Sequence, residues 1–195
     1  MIRTSWTREG LLGTELCRKT LGVVGFGVIG QEVARIGVAF GAKVLVYDVK
    51  VNMDTVKRIG VEVVDLTSLL KQSDIVTIHA PLLDSTKGLI GEWEIGVMKK
   101  GAILINAARG PLVAKEPLVQ ALANGRISAG IDVYDVEPLP LDDPLLSVGN
   151  TVLTPHIGFY TREGLKTRTR IAFENIKSFI EGKSRNVVNP EALSS

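Results

Sequence analysis

Three polar side chains carry the chemistry that this sequence offers: Arg109 in the run NAARG, Glu137 in DVEPLP and His156 in TPHIG. Arg109 follows an apolar run, and its planar guanidinium can present a fork of donors to a carboxylate, a task that lysine performs less selectively. His156 can give or take a proton near neutral pH. Glu137 can accept a hydrogen bond from the other ring nitrogen of that histidine, which fixes the tautomer and favours the protonated ring. Taken singly, each has a plainer reading: an ion pair beside a helix, a surface carboxylate, a satisfied histidine at a strand end. Their joint position at the ends of apolar runs is what argues for a site.

Beside them stands a glycine motif. Gly25, Gly27 and Gly30 have the G-x-G-x-x-G spacing, between an apolar run at 21–24 and a helical stretch, and a second apolar run at 43–47 closes on Asp48. The first glycine permits a tight strand-to-helix turn, the second lets a pyrophosphate approach the backbone, and the third lets helix and strand pack closely. The helix start offers unpaired N–H groups and a positive dipole end to phosphate. Asp48 can accept hydrogen bonds from both ribose hydroxyls of an adenosine, and its charge repels the extra phosphate of NADP. NAD is therefore the cofactor expected, with a ligand-free βαβ turn as the bland alternative.

The elements that must position these residues follow in alternation. Beyond Asp48 the pattern predicts a short helix at 52–58, a strand at 61–64, one or two helical turns near Asp65, Leu69 and Leu70, and a strand at 74–79 stopped by Pro81. A helix at 92–98, a strand at 101–106 buried on both sides, a helix at 116–124 and a strand at 127–133 come next. The helix at 116–124 has Pro117 in its first turn and Gly125 at its end. A loop rich in proline and acid, a strand at 151–153 and a long amphipathic helix at 161–181 complete the pattern. Continuous apolar strands alternating with helices imply an α/β fold, a Rossmann-like doubly wound parallel sheet in three αβα layers. In such a sheet ligands lie beyond the carboxyl ends of the strands, where Asp48, His79, Asn106 with Arg109, Asp132 with Glu137, and His156 all fall. The neighbouring Pro81 suggests that His79 shapes the cofactor loop rather than taking part in catalysis. Asp74, Asp142 and Asp143 read as strand-end and turn residues, and no His or Cys spacing suggests a metal.

Composition excludes several function classes. The chain has 195 residues and a formal charge of +2 with basic residues dispersed along it, so there is no electrostatic footprint for nucleic acid or an acidic membrane. A chain of this size can bury roughly 70% of its unfolded surface and needs no staples. Cys17 is the single cysteine, which precludes an internal disulfide. It reads as a bland buried or half-buried residue, and Trp6 as packed against the body. Nothing resembles a signal peptide or a spanning segment, so a soluble cytoplasmic protein acting on small molecules is expected. The organisation expected is an N-terminal helix or arm at 1–20, a cofactor domain at 21–182 and a tail at 183–195.

The stretches KTLGVVGFGVIG, VLVYD, HAPLLDSTKGLI, MKKGAILINAARGPLV, LANGRISAGIDVYDVEPLP and TPHIG, from about residue 19 to 158, together resemble the NAD-dependent D-2-hydroxyacid dehydrogenases. That resemblance implies that Arg109 binds the substrate carboxylate and polarises the keto group, His156 is the general acid/base and Glu137 its partner. It implies that Gly25, Gly27, Val28, Ile29, Gly30, Asp48, the loop His79, Ala80 and Pro81, the turn Ala107, Ala108 and Arg109, Asp132, His156 and Gly158 line NAD. The substrate implied is a small 2-keto or 2-hydroxy acid, and the assembly a homodimer.

Departures qualify it. Ala114 and Lys115 stand where the family usually has an acid that caps the next helix, the stretch before Asp132 is about one residue short, and Phe159 and Tyr160 replace small residues. The run HIGFYT resembles the D-lactate dehydrogenase branch. The family's substrate domain, drawn mainly from about the first hundred residues, has no counterpart here, so the chain resembles the cofactor half alone. A non-catalytic NAD-binding and dimerisation module is the alternative.

Overall fold

The computed structural model describes residues 12–190, which divide into two compact units meeting at Pro155 and His156. Within the first unit, strands and helices alternate as β1 (Thr20–Val24), α1 (Val28–Ala39), β2 (Lys43–Tyr47), α2 (Met53–Ile59), β3 (Glu62–Val63), α3 (Leu66–Gln72), β4 (Ile75–Ile78), α4 (Glu92–Val97), β5 (Ile103–Asn106), α5 (Lys115–Ala123), β6 (Ser128–Ile131) and β7 (Thr151–Leu153). Among the described residues the strands form one seven-stranded sheet in the order β3-β2-β1-β4-β5-β6-β7. Every pairing is parallel. The order reverses direction after β1, the switch point at which a doubly wound sheet opens a crevice for ligands.

Side-chain alternation along the strands divides the core between the two faces of the sheet. Val23, Val44 and Val46 join Phe26, Ala34, Val56 and Ile59 in one cluster, while Val24, Leu45, Val76 and Leu104 join Leu69, Leu70 and Leu122 in the other. Gly22 has no room for a side chain, because an added Cβ would overlap the side chains of Leu69 and Ser73. Local signals set the helix ends: the side chain of Asn52 accepts a hydrogen bond from the Thr55 amide (3.0 Å) at the start of α2, and Asp65 from the Ser68 amide (2.9 Å) at the start of α3. Gly60 ends α2 in the left-handed region at φ 82°. At the start of α5, Ala114 makes no side-chain cap bond, as the substitution of the usual acid foretold.

Some expectations change. The strand at 61–64 shrinks to Glu62 and Val63, both exposed, because β3 is an edge with a single neighbour. β5 is not buried throughout: Ile103 at its start is 40% exposed. Cys17 is exposed rather than buried, since it lies in the turn before β1 and only its flank meets Gly41. The packing expected of Trp6 and most of the arm at 1–20 lie outside the described residues.

The second unit carries α6 (Arg162–Ile180). The Thr161 hydroxyl accepts from the Gly164 amide (2.9 Å) and starts that helix. The tail turns back along it, with Arg185 on Glu174 (3.0 Å) and Asn186 on Asn175 (2.9 Å).

Candidate cofactor and active site

The glycine loop shows why each of its positions lacks a side chain. Gly25 has φ 94°, and an added Cβ would meet the backbone of His79 and Ala80 at 2.5–2.6 Å. Gly30 faces the Gly25 carbonyl so closely that a Cβ would collide with it. Gly27 differs, for a Cβ there would meet nothing within 4 Å. It is the N-cap of α1 and lends no side chain to the helix, so the first-turn amides await an outside acceptor. Open space over a bare helix start fits a pyrophosphate, and Val28 and Ile29 beside it are 81% and 68% exposed. Asp48, at the end of β2, accepts from the Phe26 amide through Oδ2 (2.6 Å) and from the Lys50 amide through Oδ1 (3.1 Å). A carboxylate has roughly four acceptor positions, so Asp48 ties down the glycine loop and keeps capacity for ribose hydroxyls.

Next along the same edge come the loops after β4 and β5. The His79 amide donates to the Val24 carbonyl (2.7 Å), and its Nε2 shares a hydrogen bond with the Thr77 hydroxyl (3.0 Å). Burial holds its imidazole below the ordinary value. The ring is thus engaged with β4, and the backbone of His79 and Ala80 packs on Gly25. After β5, the buried Asn106 amide templates the turn: its Oδ1 accepts from the Ala108 amide (3.1 Å) and its Nδ2 donates to the Arg109 carbonyl (2.9 Å). Arg109 is exposed, donates to the Ala108 carbonyl (2.6 Å) and makes no ion pair among the described residues, so most of its five-donor fork is available.

The loop after β6 is fastened to this turn. A Cβ on Gly110 would collide with the backbone of Tyr134 and Asp135. The Tyr134 amide donates to Glu137 Oε1 (3.0 Å), and its hydroxyl donates to the Thr154 carbonyl (2.9 Å). Burial, then the charge of Asp132, pushes the Tyr134 phenol above its ordinary value, so it remains a donor. Asp132 is buried and accepts from the Thr154 hydroxyl (2.5 Å). Asp143, read from sequence as a turn residue, does cap a turn through the Leu145 amide (3.0 Å). It also forms an ion pair with Lys115 (2.5 Å) that motif reading missed. Burial raises the Asp143 carboxyl, but the bonds from Lys115 and Leu145 outweigh it and hold the group below its ordinary value. Lys115 is raised by the same bond.

Thus Asp48, His79, Ala107, Ala108, Arg109, Asp132 and Glu137 are brought to the carboxyl edge of one sheet. His156 and Gly158 belong to the second unit, where His156 sits in the left-handed region at φ 53° and meets Phe159 edge to face at 6.0 Å. Arg168 stacks over the Phe159 ring at 4.9 Å. No group of metal-binding side chains occurs among the described residues. Tyr134, Thr154 and Lys115 went unnoticed in the sequence, because their partners lie 20–28 positions away and no short motif records such a distance.

The family model for the D-isomer specific 2-hydroxyacid dehydrogenase NAD binding domain matches residues 1–158. The chain belongs to this family. Among curated relatives of this D-2-hydroxyacid dehydrogenase domain, glyoxylate reductase from Aeropyrum pernix is 43% identical over 194 residues, covering 98% of this chain and 58% of the relative. D-3-phosphoglycerate dehydrogenase from Methanocaldococcus jannaschii is 42% identical over 190 residues, 96% of this chain and 36% of the relative. Among solved structures, D-lactate dehydrogenase with NAD+ from Lactobacillus jensenii superposes with a TM-score of 0.83 at 34% identity, over 94% of this chain and 59% of that one. The chain thus spans between a third and three fifths of the length of these relatives. As an NAD-binding domain it has NAD as its cofactor, consistent with the loop that holds open space over Gly27.

Proposed function

We propose that this chain is the cofactor half of an enzyme that moves hydride between NAD(H) and a small 2-keto or 2-hydroxy acid. The observation that carries it is the junction at Gly110 and Tyr134, which places the Arg109 turn and the Glu137 loop together at the edge where the cofactor loop opens. In this reading NAD lies on Gly25, Gly27, Val28, Ile29, Gly30 and Asp48, with His79, Ala80, Pro81, Ala107, Ala108, Arg109, Asp132, His156 and Gly158 along its length. Bound NADH supplies the hydride. Arg109 holds the substrate carboxylate in a two-pronged grip and polarises the keto oxygen. His156 delivers the proton to that oxygen, and Glu137 holds its ring in the required tautomer. General acid assistance of this kind is worth about 10²- to 10⁴-fold.

The substrates in the relatives' names, glyoxylate and hydroxypyruvate among them, support a short 2-keto acid. The boundaries at residues 20 and 182, a homodimer and a cytoplasmic location belong to the same proposal; no helix among the described residues is long and apolar enough to cross a membrane. The chain's share of its relatives' length favours a second reading for the chain by itself, a module that binds NAD and dimerises without turnover.

The deciding experiment is NADH oxidation by this chain with pyruvate, glyoxylate and hydroxypyruvate, with His156→Ala and Arg109→Ala beside it. Turnover that disappears in both variants, with NADH affinity nearly unchanged in His156→Ala, is the outcome expected. Turnover that survives both variants would refute the assignment. A folded chain that binds NADH without turnover would favour the second reading.

A further inference from the structure

The strand order constrains where each end of the dinucleotide lies. Asp48 on β2 receives the adenosine and the glycine loop on β1 the pyrophosphate, so the remaining half must run over β4, β5 and β6. Three strand spacings, about 14 Å in all, separate β1 from β6. Asp132 follows the last residue of β6, anchored by its amide on the Asn106 carbonyl (3.0 Å). A carboxylate accepts and never donates, which suits it to the NH₂ of a carboxamide.

Two further residues hold that carboxylate in place. The single hydroxyl proton of Thr154 goes to Asp132 Oδ1 (2.5 Å), and the Thr154 amide goes to the Ile131 carbonyl (3.0 Å). The Thr154 carbonyl in turn takes the Tyr134 hydroxyl (2.9 Å), which lies farther from its other acceptor, the Ile131 carbonyl (3.3 Å). The chain Tyr134–Thr154–Asp132 therefore crosses from the loop after β6 to the end of β7 and back. Each link is a directional hydrogen bond; Asp132 is buried, and Tyr134 and Thr154 are half-buried.

We propose that Thr154 and Tyr134 are positioning residues for the nicotinamide end of the cofactor, acting through Asp132. Thr154 restricts the Asp132 carboxylate to one orientation, so that the carboxamide adds to the bonds already made, up to the roughly four that a carboxylate accepts. Tyr134 holds the Thr154 peptide so that its hydroxyl keeps that aim. The proposal rests on the assignment of Asp132 to the NAD site.

The test compares two ligands on the intact chain: NADH, and ADP-ribose, which lacks the nicotinamide ring. Thr154→Val keeps the branched shape and removes the hydroxyl. It is expected to raise the Kd for NADH about three- to tenfold and to leave that for ADP-ribose unchanged. Thr154→Ser, which retains the hydroxyl, restores NADH affinity, and Tyr134→Phe gives a smaller loss of the same selectivity. Equal effects on both ligands, or none on either, would overturn the proposal. If Thr154→Val does not fold, as a thermal melt would show, Tyr134→Phe decides. Asp132→Asn separates the two layers. If it leaves the ratio of the two affinities unchanged, the placement of Asp132 at the cofactor is lost and the proposal with it. If it changes the ratio while Thr154→Val and Tyr134→Phe do not, only the proposal falls.

Discussion

Replacing Gly27 with alanine should separate binding from folding. The position has φ −71°, which alanine adopts without strain, and its Cβ would meet nothing within 4 Å. Restricting the unfolded chain contributes about 0.4–1 kcal/mol of stability, and alanine at an N-cap costs a similar amount, about 0.5–1 kcal/mol. Net stability should therefore change by less than about 1 kcal/mol. The methyl group would stand over the first-turn amides of α1, where the phosphates must come to hydrogen-bonding distance. Losing one bond between an amide and a charged oxygen, about 1.5–3 kcal/mol, raises the Kd for NADH about 10- to 150-fold. Fluorescence titration with NADH and a thermal melt read the two quantities. Gly30→Ala is the contrast, because its methyl would strike the Gly25 carbonyl, and the melt should show a loss of about 2–3 kcal/mol. A Gly27→Ala protein that melts normally and binds NADH within about twofold of the parent would refute the placement of the pyrophosphate.

Two further outcomes concern stability. Asp143→Ala should cost about 2 kcal/mol, less than the roughly 3–5 kcal/mol of a fully buried pair because the Lys115 side chain is 31% exposed and can turn to water; urea unfolding measures it. The Asp143 carboxyl is depressed in the folded state, so its contribution is present above the unfolded value of 3.8 and is lost as pH falls through the lower folded value. Wild type and Asp143→Ala should accordingly converge in acid, and a difference that persists there would contradict the pairing. His79 acts in a higher window. Its folded value lies below the ordinary 6.5, so the unfolded chain takes up the proton first, and stability complete above that value falls as the pH drops below it. His79→Gln should flatten the melting temperature between about pH 5 and about pH 7, and an unaltered slope would show that the ring titrates freely.

Much of this protein was legible from short-range pattern. Strands β2 and β7 fall where the apolar runs place them, and α2 and α3 begin at Asn52 and Asp65, whose side chains bond to amides three residues ahead. The glycine spacing and the turn Ala107–Arg109 stand out because each lies within a few residues, although Gly25 packs on His79 and Ala80 and Asp48 bonds to the Phe26 amide across longer separations. Continuous apolar strands imposed burial on both faces, and hence helices on both sides of a parallel sheet. Other features depended on what each element meets. Ile103 and β3 are exposed because the sheet has edges and ends, and Cys17 because the turn before β1 lies outside the core.

The sequence by itself determined the alternation, the cofactor loop and the identity of the polar residues at the carboxyl edge, because spacing and turn chemistry are local. Only the tertiary structure decided that Gly110 fits against Tyr134, that Lys115 pairs with Asp143 and that Thr154 bonds to Asp132. Such partners are chosen by the packing of neighbouring strands, which brings together residues 20 or more positions apart, and no pattern within either segment specifies that meeting.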